Sequence, residues 1–416
     1  MIRTLITCMA VLTSFPAIAA TLSSEAHLPA HASTHAHAPA AVWGDDVFLV
    51  VWQAGRNEQA DIVGARLNKE GKVLDTTPLV ICQARDEQAR PRVAFGTGQF
   101  LVVWQDLRSE RDYDVYAARV TPDGKVLDAD GFPVTTGEKN QAEPAVCHDG
   151  SAYQVVWRHY YGRGYHIHGG RVEAKGKVLD GAGMLLATPP KAYLAPWNMG
   201  TPGVFSLGDG CVVAAARSGR WLCLWRIRDG KTDGPVVSDP GGMGTDPAFA
   251  SDGKHVLMVF TTFMNTGGRS SGRRDSGMLL LPLEGEWVAE TSRFGTHFTR
   301  EGGALAARQL MESGRYVRHP SVAWDGDAYV VAWDVPIRHR RQLPHYDAVF
   351  LRRFSSEGKA LSEEEEQIAG SPDTPAYRPA VASDGTGTTL VAYERHPDST
   401  DPDVPIVIAF RTLKGT

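Results

Sequence analysis

Cysteine is scarce in this chain, with five among 416 residues. One of them, Cys8, lies in an N-terminal apolar segment. The other four, Cys82, Cys147, Cys211 and Cys223, are scattered over about 140 residues. That spacing excludes the dense disulfide framework of small secreted domains. A basic excess is also lacking: 43 Lys and Arg stand against 48 Asp and Glu, for a net charge of −5. This argues against a dedicated nucleic-acid binder. Beyond the first 20 residues no apolar run approaches the ~18 residues a membrane-spanning helix needs. There is no H-E-x-x-H and no P-loop. A staple is not required either, since a chain this long buries roughly three quarters of its unfolded surface.

What is present starts with an export pattern. Arg3 precedes an apolar stretch of 12 residues, Thr4 to Phe15, and Ala17-Ile18-Ala19 offers a small-x-small cleavage site. Residues 1–19 therefore read as a signal peptide, which predicts a secreted or periplasmic protein without a transmembrane segment. Cys8 comes too early in the stretch for a lipoprotein signal.

The remainder repeats. Pro39 opens P-A-A-V-W-G-D-D-V-F-L-V-V-W, Pro91 opens P-R-V-A-F-G-T-G-Q-F-L-V-V-W, and Pro144 opens P-A-V-C-H-D-G-S-A-Y-Q-V-V-W. The proline spacings are 52 and 53. Each copy continues into D-I-V-G-A-R, D-V-Y-A-A-R or H-I-H-G-G-R, and then into G-K-V-L-D, ending at Asp75, Asp128 and Asp180. Weaker copies start at Pro202, Pro247, Pro320 and Pro379. Each holds four short segments rich in β-branched and aromatic residues, punctuated by Asp-Gly and Gly-Lys turns. The expected fold is all-β, a seven-bladed β-propeller of four-stranded antiparallel blades spanning 39–416. The last copy has only 38 residues, and residues 20–38 add 19. The N-terminal segment is therefore expected to supply the outer strand of the last blade and so close the ring. Six blades or an open arrangement is the alternative, given how far the fourth copy has decayed.

The L-V-V-W … D-I-Y-x-x-R-V … D-G-K-V-L-D units resemble a family of secreted bacterial β-propellers, over nearly the whole mature chain. That resemblance implies an exported propeller and supplies no agreed catalytic residues. The sialidase S-x-D-x-G-x-T-W box and a regular Gly-His … Trp-Asp pair are both missing.

Strand order puts the connection after the V-V-W segment, and the one leading to each proline, on one face. Eight of the 11 lysines fall in turns of the opposite face, whereas many of the 32 arginines fall on this one. Guanidinium forks suit carboxylate, sulfate or phosphate. Arginines paired to the acids of the same loops are the plain alternative. The third repeat offers Arg158-His159-Tyr160-Tyr161-Gly162-Arg163-Gly164-Tyr165-His166, a loop with no acid in it, followed by Tyr193 and Trp197. His166 takes the place held by Asp61, Asp114 and Asp347. The sixth repeat offers Arg338, His339, Arg340 and His345, flanked by Arg318, His319, Tyr377 and Arg378. These residues predict a binding module for an anionic glycan or a partner protein. The alternative is a polysaccharide lyase acting by β-elimination, with Arg163 or Arg340 neutralising a uronate and His159, His166 or Tyr161 removing the proton. Packing of an irregular loop would account for the same aromatic residues.

An insertion from Glu284 to Arg318 contains Glu301–Gly314, which reads as a short helix. His27, His31, His35 and His37 form a metal-ligand pattern, although a strand would bring only His35 and His37 onto one face. No cofactor is required by these residues, a divalent metal is compatible with them, and a monomer is expected.

Overall fold

A computed structural model describes residues 20–31, 35–55, 59–161, 164–181, 183–187, 199–217, 221–228, 231–238, 245–263, 274–282, 288–292, 295–300, 303–305, 308–309, 317–337, 346–397 and 404–415. The signal segment 1–19 lies outside them, as do Arg163, Tyr193, Trp197, Arg338, His339, Arg340 and His345. The described residues are all strand, turn and coil, with no helix, and so none long and apolar enough to cross a membrane.

Each proline begins an up-and-down antiparallel unit. The Pro39 unit runs through Ala36–Gly44, Val47–Ala54, Gln59–Asn68 and Leu79–Cys82. The Pro91 unit repeats this with Asp86–Gly96, Gln99–Asp106, Asp114–Val120 and Phe132–Thr135. A short parallel contact, Gln59 to Asp86 and Ala60 to Glu87, joins the two. The Pro144, Pro202, Pro247 and Pro320 units are four-stranded sheets of the same order. The Pro379 unit has three strands of its own, Ala376–Ser383, Thr388–Arg395 and Val407–Lys414. Its outer edge is covered from the other end of the chain, where Thr21 and Leu22 pair with Lys414 and Leu413, and Ala26 and His27 with Phe410 and Ala409.

The second strands are buried on both faces. Gln99–Asp106 is buried at every position, which is why these segments read as continuous apolar runs rather than alternating ones. The aromatic near each strand's end lies between units. Trp104 packs with Leu49 and Ile62 of the preceding unit, Trp157 with Leu101 and Val103, and Trp333 with Leu257 and Met278. Trp52 of the first unit packs with Leu390 and Phe410 of the last. Truncating such a residue to alanine costs about 3–5 kcal/mol.

The repeated Arg and Asp of the third strand and the following turn form one clasp. Arg66 hydrogen-bonds Asp75 through its backbone N–H (2.7 Å) and its guanidinium (2.7 Å). Arg119 with Asp128 and Arg171 with Asp180 repeat it. The intervening turns place Gly71, Gly124 and Gly176 at φ of 83–88°, where a side chain is strained.

Two expectations need correction. Gly303–Leu305 and Arg308–Gln309 are strands, not a helix. In the sixth repeat Asp347 pairs with Pro336, so the residue matching His166 by register is Ala348. All four described cysteines are buried free thiols.

Candidate functional site

The first strand of most units carries a β-bulge at its proline end. Its register shifts between His37 and Ala40, Ala89 and Arg92, Ala142 and Ala145, Thr245 and Ala248, Arg318 and Ser321, and Tyr377 and Ala380. The residue just before each of these prolines is left-handed: Ala38, Arg90, Glu143, Asp246, His319 and Arg378 have φ between 46° and 54°. Such conformations cost about 1–3 kcal/mol each and persist where neighbours hold them. Here the holder is the residue after the aromatic of the preceding unit. Glu394 accepts the Ala38 N–H (2.8 Å), Gln105 the Glu143 N–H (3.1 Å) and Asp334 the Arg378 N–H (3.2 Å). Five of the six bulge positions carry ionisable side chains.

Several predicted residues meet here. Arg318 is clasped by buried Asp334 (2.7 Å) and bonded to Asp347, and His319 Nδ1 lies 2.7 Å from Asp334 Oδ1. The Arg318 guanidinium stands 6.0 Å from the Tyr377 ring centroid. Tyr377 is pushed up to about 12, by burial first and then by the Asp347 charge. Burial also raises Asp347, against the pull of Arg318. Arg378 reaches Glu394 at 3.1 Å.

The third-repeat hairpin brings His159 opposite His166 and Tyr160 opposite Tyr165, with Tyr161 opposite Gly164. Tyr160 and Tyr165 meet edge to face at 5.3 Å. The expectation that this sector escapes acid pairing is wrong. Arg158 lies over the Tyr165 ring at 3.9 Å and is bonded to Glu143 at 2.7 Å, because Glu143 precedes the proline and reaches the same end of the sheet. Burial lowers His159 and His166. It takes His168 down to about 4, helped by the two other imidazoles.

The four-histidine pattern does not gather into one ligand set among the described residues. His27 is exposed on the outer strand beside Glu25, while His35 and His37 stack at 6.4 Å, as strand spacing predicts.

Arg92 was not among the predicted binding residues. The position after the proline holds Ala40, Ala145, Gly203, Ala248, Ser321 and Ala380 in the other units; only the second unit has arginine. That departure was the available signal. Among the described residues, the half-buried guanidinium makes one hydrogen bond, to the Pro91 carbonyl oxygen (2.9 Å), and no ion pair. Burial lowers its pKa and the Arg90 charge lowers it further, while Asp246 and Glu143 act in the opposite sense. Bulge residues of several units thus lie near one guanidinium.

At the opposite end, where the Asp-Gly turns lie, the first strands line an open recess of about 430 Å³. Trp43, Phe249 and Trp324 line it, with Ser383–Gly385. These residues belong to units far apart in sequence.

No family model matches this chain, and no curated protein matches it. Among solved structures it is similar to a thermostable family-43 glycoside hydrolase, at 10% identity and a TM-score of 0.43, covering 83% of this chain and 98% of that one. It is similar to a Trypanosoma rangeli sialidase at 12% identity and TM-score 0.44, covering 77% and 55%. An endo-arabinase from Bacteroides thetaiotaomicron follows at 12% and 0.39, covering 78% and 96%. Likeness this distant assigns this chain neither a substrate nor a reaction.

Proposed function

We propose that this chain is an exported seven-bladed β-propeller whose proline end binds an anionic ligand, a carboxylate-bearing glycan. The ring is supported by hydrophobic clusters shared between neighbouring units, the last with the first included, and by the N-terminal strands along Val407–Lys414. Covering that edge removes a template for aggregation.

The ligand reading rests on Arg92, an arginine where sister units hold small residues, with most of its N–H donors unclaimed among the described residues. A carboxylate accepts two parallel bonds from such a fork. Arg90, at the same bulge, and Arg378, at the bulge of the last unit, have side chains 49% and 44% exposed, and each pairs with a carboxylate, Glu143 at 3.3 Å and Glu394 at 3.1 Å.

The test is equilibrium binding of acidic and neutral oligosaccharides. A charge-assisted bond contributes about 1.5–3 kcal/mol, so Arg92→Ala is expected to weaken acidic-glycan binding roughly 10- to 100-fold. Unchanged affinity overturns the site. A rise in ultraviolet absorbance from unsaturated product on a uronate polymer would favour the lyase instead.

A further inference from the structure

Where the strand Ala36–Gly44 meets the strand Thr388–Arg395, three ligating side chains converge. His37 Nδ1 lies 3.4 Å from Glu394 Oε2, and His396 Nε2 lies 3.0 Å from the same oxygen. All three donor atoms are within 4.8 Å of one another. The other carboxylate oxygen is occupied: Oε1 accepts the Ala38 N–H at 2.8 Å and Arg378 Nη1 at 3.1 Å. Glu394 is thereby fixed with Oε2 turned toward the imidazoles. Both rings are held as well, with Tyr377 edge-on to His396 at 4.4 Å and His35 parallel to His37 at 6.4 Å.

Two imidazole nitrogens and a carboxylate oxygen are the donor set of Zn²⁺. Tetrahedral coordination at 2.0–2.1 Å spaces donors about 3.3 Å apart, close to the two imidazole–carboxylate separations of 3.4 and 3.0 Å. The Glu394 side chain is 3% exposed, and those of His37 and His396 are 20% and 26% exposed, so a cation can enter from solvent and keep a water. The sister repeats place Gln53, Gln105, Arg158 and Asp334 where Glu394 stands, without two histidines beside them. We propose that His37, Glu394 and His396 form a divalent-cation site of the Zn²⁺ type. Bound there, the ion ties residues 357 positions apart across the junction of the first and last units, and so stabilises that junction.

The experiment is calorimetric titration of Zn²⁺ into the full, tag-free chain after chelator treatment. One ion per chain is expected, with binding weakened at least about 10-fold in His37→Ala and in His396→Ala. The variant lacking both His27 and His31 should bind as the parent does. Zn²⁺ should also raise the thermal midpoint of the parent but not of His396→Ala. His396→Gln, which keeps the side chain's size, gives the same readout if the alanine variant fails to fold. Absence of binding, or binding unchanged in both the His37 and His396 variants, overturns the site.

Discussion

The two ends of the first strands obey different rules. At the turn end one packing device recurs: Trp43 on Phe48, Phe95 on Phe100, His148 on Tyr153 and Trp324 on Tyr329, with ring centroids 4.5–4.9 Å apart. At the proline end the backbone device recurs while the side chains differ from unit to unit, as Ala38, Arg90, Glu143, Asp246, His319 and Arg378 show. Repetition at one end and variation at the other separates what every sheet needs for packing from what this molecule needs once. The proline end should therefore fail through charge, and the turn end through volume.

The largest expected effect comes from taking away a buried charge. Asp334 is fully buried and holds Arg318, His319 and the Arg378 N–H. Asp334→Ala leaves the guanidinium and the imidazole without their shared partner, which costs about 3–5 kcal/mol. Denaturant unfolding measures it; a loss below about 1 kcal/mol would mean that solvent replaces the carboxylate there.

Volume is tested at Gly44. An added Cβ would lie 2.1 Å from Phe95 Cγ, a ring of the next unit. No left-handed backbone is involved, so the penalty for Gly44→Ala is steric, about 1–3 kcal/mol. A second substitution, Phe95→Leu, should recover part of it, because it removes the ring that clashes. Without recovery, the turn end is not held by this contact.

The packing end was legible in the sequence because its signals are local and periodic. The prolines, the V-V-W aromatics and the Gly-Lys turns recur in chain order, and the short last copy pointed to the N-terminal strand. The charged end was legible only in part. Arg318, His319, Tyr377 and Arg378 were named from composition, but their partners come from strands tens of residues away. Glu394 beside His37, 357 positions apart, has no spacing rule to reveal it. Glu143 was visible, yet its hold on Arg158 follows from the bulge, which a count of loop residues does not show. Arg92 departs from its own repeat at one position and was overlooked for want of a motif.

The histidines of the third hairpin sharpen the contrast through pH. His168 is held near a pKa of about 4 by burial and the neighbouring imidazoles, against about 6.5 in an unfolded chain. Between these values the unfolded state binds the extra proton, so stability falls as pH drops from about 6.5 toward 4. Partial solvent exposure reduces the expected loss to about 1–2 kcal/mol. Urea unfolding at pH 7 and pH 4.5 should show a smaller difference in His168→Gln than in the parent. An identical pH dependence would mean that His168 contributes none of it and that other groups, the lowered carboxylates Glu143 and Glu394 among them, carry it.

The smallest effect should come from the Arg–Asp clasp beside the Gly-Lys turns, which recurs in three units. Arg171 grips Asp180 with its fork, Nε at 2.9 Å and Nη2 at 2.7 Å, while its backbone N–H reaches the same carboxylate. Arg171→Lys keeps the charge and the backbone bond but loses the two-pronged geometry. Since the arginine side chain is 33% exposed, solvent screens the remaining attraction and the cost should stay within about 1 kcal/mol. The acidic-glycan binding proposed for the proline end should not move at all. A change in binding with stability intact would mean that this turn communicates with Arg92, and the division of labour between the ends would have to be redrawn.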